Sequence, residues 1–463
     1  MYNPVVSTEA LQALGAAEAG HWRLLPYKLD GGTLYCLGAE GMDYTDAGRD
    51  IPAIYGFHLS VERIAREELE RLLTMHYRTG ASFRPEGREG TPLPEGPDFL
   101  DALIREAVGM GASDIHLEPL EDRCRVRLRI DGRLLERHVI PRSDYPSVVN
   151  RIKILSDLDI SEKRLPQDGR IAWSAGGEKL DIRTSVMPTI HGEKAVLRLL
   201  IGAGRRRSLE ELGFDACQLE DYSRAASSPH GMILISGPTG SGKTTTLYAT
   251  LEMLNRGDNN ILTIEDPVEY TLDGINQVQL KEEIGLDFTA ALRTFLRQDP
   301  DIIMLGEIRD APTAQMAVRS SLTGHLVLST LHTNSAWGCT TRLMDMGIHP
   351  YLLGETLVAC VAQRLVRLLC PHCRREDSWQ GRRVFIPVGC PECWYTGYRG
   401  RKAVYEVIPL DAELSRAVRE RQADISGLLA ARGIRTLREA ALDLLERGET
   451  SPEEVIPLMN ETV

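Results

Sequence analysis

The chain has 463 residues, 43% of them hydrophobic and 26% charged, which is ordinary for a globular protein of two to four domains. Its formal net charge of -12 argues against a nonspecific nucleic-acid binder, which needs a basic surface. It contains no run of about 18 apolar residues and no basic-then-apolar leader at its start, so a cytosolic protein without a membrane span is expected.

Residues 1–78 read as a small mixed domain. Trp22–Lys28 and Thr33–Leu37 have strand character around Asp30-Gly-Gly, and Val61–His76 carries apolar residues at helical spacing. Residues 79–98 hold four Gly and four Pro and read as a linker. A helix is expected over about Phe99–Gly109. Period-two strands follow at Arg125–Ile130, Leu180–Val186 and Lys194–Leu200, so residues 99–203 read as an α+β domain. From 204 to 369 strands and helices alternate, which implies a mostly parallel sheet. Residues 370–400 form a cysteine module, and 401–463 read as a helical region.

The chemistry begins at Met232-Ile-Leu-Ile-Ser, a short apolar run followed by Gly237, Pro238, Thr239, Gly240, Ser241, Gly242, Lys243, Thr244 and Thr245, then by a helical stretch. This G-x-x-x-x-G-K-T pattern curls backbone N–H groups around phosphate, with Lys243 reaching the β/γ-phosphates and Thr244 offering a hydroxyl to Mg²⁺. The helix N-terminus adds its positive end. A second acid-tipped strand is expected beside such a loop. Asp301-Ile-Ile-Met-Leu-Gly306-Glu307 supplies one, with Gly306 at the usual Asp position, which leaves the work on water or the metal shell to Glu307. A further acidic cluster, Glu265, Asp266 and Glu269, follows the apolar run Ile261–Ile264 and reads as a metal or water site. His325 and His332 flank one apolar segment and read as γ-phosphate sensors or subunit couplers.

Nine cysteines include two C-x-x-C pairs, Cys370 with Cys373 and Cys390 with Cys393, sixteen residues apart. That spacing reads as a closed, structural tetrahedral zinc site. Six arginines surround it: Arg364, Arg367, Arg374, Arg375, Arg382 and Arg383. They read as a solvated face, with acidic lipid headgroups or an acidic partner as the sharper options.

Together these segments resemble the type II/type IV secretion ATPase superfamily, in particular its GspE/PilB-type assembly ATPases. The resemblance covers residues 99–463. It rests on Ala112–Pro119, Leu165–Arg170, Met187–Lys194, the phosphate loop, the acidic box at 265–270, Arg297–Asp310, the histidine box at 325–332 and the cysteine module. It implies a multidomain α/β protein with a RecA-like P-loop motor and a preceding PAS-like domain; residues 1–78 lie outside the resemblance and are read as a small N-terminal docking domain. It also implies a homo-hexameric ring with ATP held between the two larger domains. Glu307 then matches the Walker B glutamate and Glu269 the key acid of the acidic box. Arg183 and Arg198 match paired arginines that neutralise charge on the transferring phosphoryl group. The implied cofactors are ATP, Mg²⁺ and Zn²⁺. The implied partners are an inner-membrane platform protein and a cytoplasmic docking protein, with the ATPase cytoplasmic and held at the inner membrane through them. Type II secretion is the reading, with type IV or competence-pilus assembly as the near rival. A nucleic-acid translocase and a nonhydrolysing scaffold are rivals of other classes. Net charge and the lack of a basic, aromatic strand-binding segment oppose the first; intact Lys243, Thr244 and Glu307 oppose the second.

Overall fold

The computed structural model describes residues 6–14, 16–76, 98–121, 123–175, 178–200 and 207–460. The expected linker at 79–98 and the Gly/Arg joint near 202 therefore fall almost wholly outside the described residues. Two compact units emerge: Met1–Ile201 with Val388–Gly397, and Gly202–Pro387 with Tyr398–Val463.

The first unit opens with helices α1 (Thr8–Ala13) and α2 (Ala16–Trp22), strands β1 (Leu24–Asp30) and β2 (Thr33–Ala39), helix α3 (Thr45–Tyr55), strand β3 (His58–Ile64) and helix α4 (Arg66–His76). β1 and β2 pair antiparallel across the expected Asp-Gly-Gly turn, and β3 adds in parallel to β2. The helix expected over Val61–His76 is thus shorter. Val61–Ile64 are strand, because Cys36 and its neighbours on β2 offer Val61 a ladder partner that local helical spacing does not reveal.

Next come α5 (Asp98–Gly109), β4 (Ala112–Pro119), β5 (Cys124–Ile130), β6 (Arg133–Ile140), α6 (Tyr145–Leu155), β7 (Gln167–Ala175), β8 (Glu178–Thr189) and β9 (Gly192–Leu199). They form a six-stranded antiparallel sheet in the order β6-β5-β4-β9-β8-β7. Alternation decides its faces. Ile115, Leu117, Val126 and Leu128 enter one core with Leu103 and Ile104 of α5. The other face is charged: Glu118 accepts from Arg125 and Arg127, both at 2.8 Å, and pairs with Lys194 at 3.1 Å. Burial pushes the Glu118 carboxyl up, and these three cations more than offset it, holding it at about 2 against an ordinary 4.5. A depressed carboxylate stabilises fully above its unfolded pKa and loses that contribution as pH falls through the folded value. Acid unfolding followed by circular dichroism should therefore steepen between about pH 4.5 and 2, and Glu118→Gln should flatten that limb. An unchanged limb in the variant would refute the assignment.

The second unit contains α7 (Ala216–Ala226), β10 (Gly231–Ser236), α8 (Lys243–Leu254), β11 (Ile261–Glu265), β12 (Asn276–Gln279), α9 (Phe288–Phe295), β13 (Ile302–Leu305), α10 (Ala311–Leu322), β14 (Leu326–Leu331), α11 (Gly338–Asp345), α12 (Pro350–Thr356) and β15 (Leu357–Leu369). Then follow the hairpin β16 (Arg375–Trp379) and β17 (Arg382–Ile386), strand β18 (Tyr398–Pro409), and helices α13 (Ala412–Arg419), α14 (Ser426–Ala431), α15 (Leu437–Glu446) and α16 (Pro452–Asn460). Seven strands form one sheet, β12-β11-β13-β14-β10-β15-β18, parallel throughout except for the β15–β18 pair. β10, β13 and β14 are buried at every position, as strands covered on both faces must be. Met232, Leu234, Ile303 and Leu305 enter one core, while Ile233, Ile235, Ile302 and Met304 enter the other.

Two expectations need correction here. Tyr398–Pro409 is a full strand of this sheet, so the C-terminal segment is helical only from Ala412 onward. The six arginines also divide: Arg374, Arg375, Arg382 and Arg383 are exposed, as expected of a solvated face, but the other two are not. Arg364 and Arg367 are buried. Arg367 pairs with Glu454 at 2.6 Å and lies over the Tyr398 ring, Arg374 donates to the Gly448 carbonyl, Arg382 pairs with Glu446, and Arg383 pairs with Glu376. Arg364 and Arg367 are thus taken up by tertiary partners inside the fold, while the pairs of Arg382 and Arg383 lie at the surface.

Candidate active site

In a parallel sheet covered by helices, ligands sit beyond the carboxyl ends of the strands. Four expected segments meet there: the phosphate loop after β10, Asp266 after β11, Glu307 after β13 and His332 after β14.

The loop is shaped by its glycines. Gly240 and Gly242 adopt φ of 80° and 89°, the left-handed region that favours glycine. A Cβ on Gly237 would lie 2.5 Å from the Gln363 carbonyl, and one on Gly242 would lie 2.9 Å from Gln363 Nε2. Gln363 of β15 is thus the floor of the loop, and its Oε1 accepts from Thr246 at 2.9 Å. Pro238, Thr239 and Gly240 are exposed at the rim, as are Thr244 and Thr245 in the first turn of α8, while Ser241 is buried. Lys243 Nζ donates to the carbonyls of Gly237 (2.7 Å) and Pro238 (3.1 Å). Burial lowers its pKa against the pull of Glu307, and nearby Arg364 lowers it further.

Glu307 is held from both sides. Arg309 Nε donates to its Oε1 at 2.7 Å, and His332 Nε2 lies 3.3 Å from its Oε2. The same guanidinium reaches Asp266 at 3.1 Å. Burial pushes the Glu307 carboxyl up, but Arg309 and then His332 reverse the shift, so it titrates below the ordinary glutamate value. A carboxylate kept ionised beside a phosphate loop can orient or deprotonate water.

Glu265 is different. It is buried and accepts from Thr263 (2.6 Å), Gln277 (3.1 Å) and the Tyr248 hydroxyl. Neutral donors hold it in place, and it braces the acidic box. The backbone N–H of half-buried Glu269 donates to the same Tyr248 hydroxyl at 3.2 Å.

His325 does not join His332. It precedes β14 and hydrogen-bonds the Ser320 carbonyl at 2.9 Å. A six-residue strand separates the two imidazoles by about 20 Å. Arg183 on β8 and Arg198 on β9 are cross-strand partners in the first unit, and Arg198 Nε donates to Asp114 at 3.0 Å.

Sequence reasoning gave no site role to Arg309 or Gln363, and it placed Arg364 with the arginines around the cysteines rather than at the phosphate loop. The signal for Arg309 was its place two residues after Glu307. For the others it was polarity inside the otherwise apolar run Leu357–Leu369, where a polar side chain is buried and has a task.

The four paired cysteines also come together. Their sulfurs all lie within 4.8 Å of one another, and Cys390 and Cys393 are 3.8 Å apart. A tetrahedral zinc–thiolate shell has sulfur–sulfur edges of about 3.8 Å. Cys393 Sγ lies within hydrogen-bond reach of the N–H groups of Cys390 (3.2 Å) and Gly397 (3.3 Å). The donor set fits zinc.

The sequence model for type II/IV secretion system proteins matches residues 96–457. The chain belongs to this family. It is a P-loop ATPase of an α/β fold. Type II secretion system protein HxcR of Pseudomonas aeruginosa is 46% identical over 421 residues, covering 86% of this chain and 89% of that protein. The type IV pilus assembly ATPase PilB of Myxococcus xanthus is 47% identical over 383 residues, covering 77% of this chain and 67% of that one. Among solved structures, the Legionella pneumophila ATPase DotB superposes with a TM-score of 0.62 at 22% identity, over 80% of this chain and 98% of that chain, a likeness of fold. No helix among the described residues of this family member is long and apolar enough to cross a membrane.

Proposed function

We propose that this chain is the cytoplasmic ATPase that powers pseudopilus assembly in type II protein secretion, working as a homo-hexamer at the inner membrane. The observation that carries the reading is the meeting of Lys243 and an ionised Glu307 at the carboxyl ends of β10 and β13. Similarity to the secretion protein HxcR supports the pathway, and similarity to PilB supports type IV pilus assembly as the second reading.

In this reading ATP lies along Gly237–Thr245 with Mg²⁺ on Thr244, and Asp266 and Glu269 shape the surrounding acidic shell. Glu307 activates water, with His332 sensing the γ-phosphate. Glu265 acts through Tyr248 rather than on nucleotide. Arg183 and Arg198 complete the site only in the assembled ring, Arg198 leaving Asp114 to do so. The antiparallel sheet of residues 99–203 serves as the PAS-like domain, the seven-stranded unit as the RecA-like motor, and residues 1–78 as the docking domain for a cytoplasmic partner. An inner-membrane platform protein receives the motion. Zn²⁺ on Cys370, Cys373, Cys390 and Cys393 is structural.

Phosphate release by the full chain with ATP and Mg²⁺, measured across protein concentrations, tests this. Turnover per subunit should rise with concentration, because the arginines act across subunits. Turnover that is flat over a hundredfold range would refute the ring, and none at any concentration would refute the motor.

A further inference from the structure

Beyond β14 the chain runs through Thr333-Asn-Ser-Ala-Trp337, and this short loop is held at four points. Ser236, the residue before the phosphate loop, donates its hydroxyl to the Ser335 carbonyl at 3.2 Å. Arg364 donates to the Asn334 carbonyl at 2.9 Å. Trp337 Nε1 donates to the Gln422 carbonyl, between α13 and α14, at 2.9 Å. The fourth tie is Glu406 of β18, which is 4% exposed. One of its oxygens accepts from the Ala336 N–H at 2.9 Å, and the other accepts from the Leu437 N–H at 3.2 Å.

Leu437 is the first residue of α15, where backbone N–H groups lack helical partners and negative charge is favoured. Burial still pushes the Glu406 carboxyl up, and its two N–H partners and Arg364 only partly offset that. A buried carboxylate is a poor stabiliser compared with an apolar side chain of similar volume. Its use here is geometric: one rigid group hydrogen-bonds both a loop and a helix start. The loop's first neighbour is His332, 3.3 Å from Glu307.

We propose that Glu406 is a positioning residue that ties the C-terminal helices to the His332 loop, so that displacement of α15 is felt at Glu307. The proposal rests on the ATPase reading above. It makes the C-terminal helices an input to turnover, the place where a bound partner raises or lowers the rate without touching nucleotide.

The test uses the full chain at a concentration where wild-type turnover is saturated. Glu406→Gln keeps one acceptor and turns the other end into a donor facing an N–H. It should lower kcat at least fivefold while KM for ATP and the affinity for a nonhydrolysable analogue stay within twofold. A second pair of variants works from the opposite side and covers the case in which Glu406→Gln fails to fold. Leu437→Pro removes the donating N–H together with the leucine packing, at a helix position that tolerates proline, whereas Leu437→Ala loses comparable packing but keeps the N–H. The proline variant should turn over at least threefold more slowly than the alanine variant at equal KM. Equal rates in that pair would overturn the proposal, as would a folded Glu406→Gln with wild-type kcat. An inactive wild type would instead count against the motor reading itself.

Discussion

Glu307→Gln should abolish nearly all ATP turnover while leaving ATP binding almost unchanged. Loss of a positioned general base typically costs about 10²–10⁴-fold in rate. The substitution is isosteric, so the amide can still accept from Arg309 and meet His332. What disappears is the negative charge that the site is built to keep. Arg309 and His332 hold Glu307 below its ordinary pKa, which has no purpose if a neutral group suffices. Lys243 and the loop glycines are untouched, so the affinity for ATP should change less than about threefold by equilibrium titration. A variant that retains a tenth or more of wild-type kcat would show that another group handles the water. A variant that loses ATP affinity to the same extent would place Glu307 in binding rather than chemistry.

The second large effect concerns the cysteine cluster. The purified chain should carry one zinc per subunit by elemental analysis, and Cys390→Ser should release most of it. Structural zinc in small tetrathiolate modules contributes on the order of 10 kcal/mol to local folding. The hairpin β16–β17 has only two strands, and such a pair is marginal by itself. Its anchors are Val384 in the motor core and the Phe385 ring beneath Arg374 and Arg383. Hydrogen exchange should therefore accelerate across Arg375–Ile386 in the variant, while β10 and β13 stay protected. A metal-free wild type with a protected hairpin would refute the zinc assignment.

Much of this was legible because its signals are local. The phosphate loop is eight contiguous residues whose chemistry needs that order, and the apolar runs at 232–236 and 302–305 read directly as buried strands. The cysteine spacing fixed which four sulfurs would meet. What escaped was set by contacts distant in sequence. Arg364 and Arg367 look like surface charge until β15 is seen in the sheet interior, facing Asn334 and Glu454. His325 and His332 look like a pair until the intervening six residues are seen to be extended. Glu406 carried no motif, and its meaning lies in two N–H groups, 70 residues before it and 31 after it.

The β15–β18 pairing has a consequence for how this protein can vary. Leu369 and Tyr398, the last and first residues of those strands, are already neighbours across the ladder. Whatever chain joins them begins and ends at one spot, so its length is nearly free of the motor's architecture, and the entropic cost of closure grows only slowly with added residues. The cysteine knuckles sit at this seam. Such a point admits a large insertion or a tight turn without moving a strand, so one motor can gain or lose a metal-clasped accessory while its hydrolytic parts keep their positions.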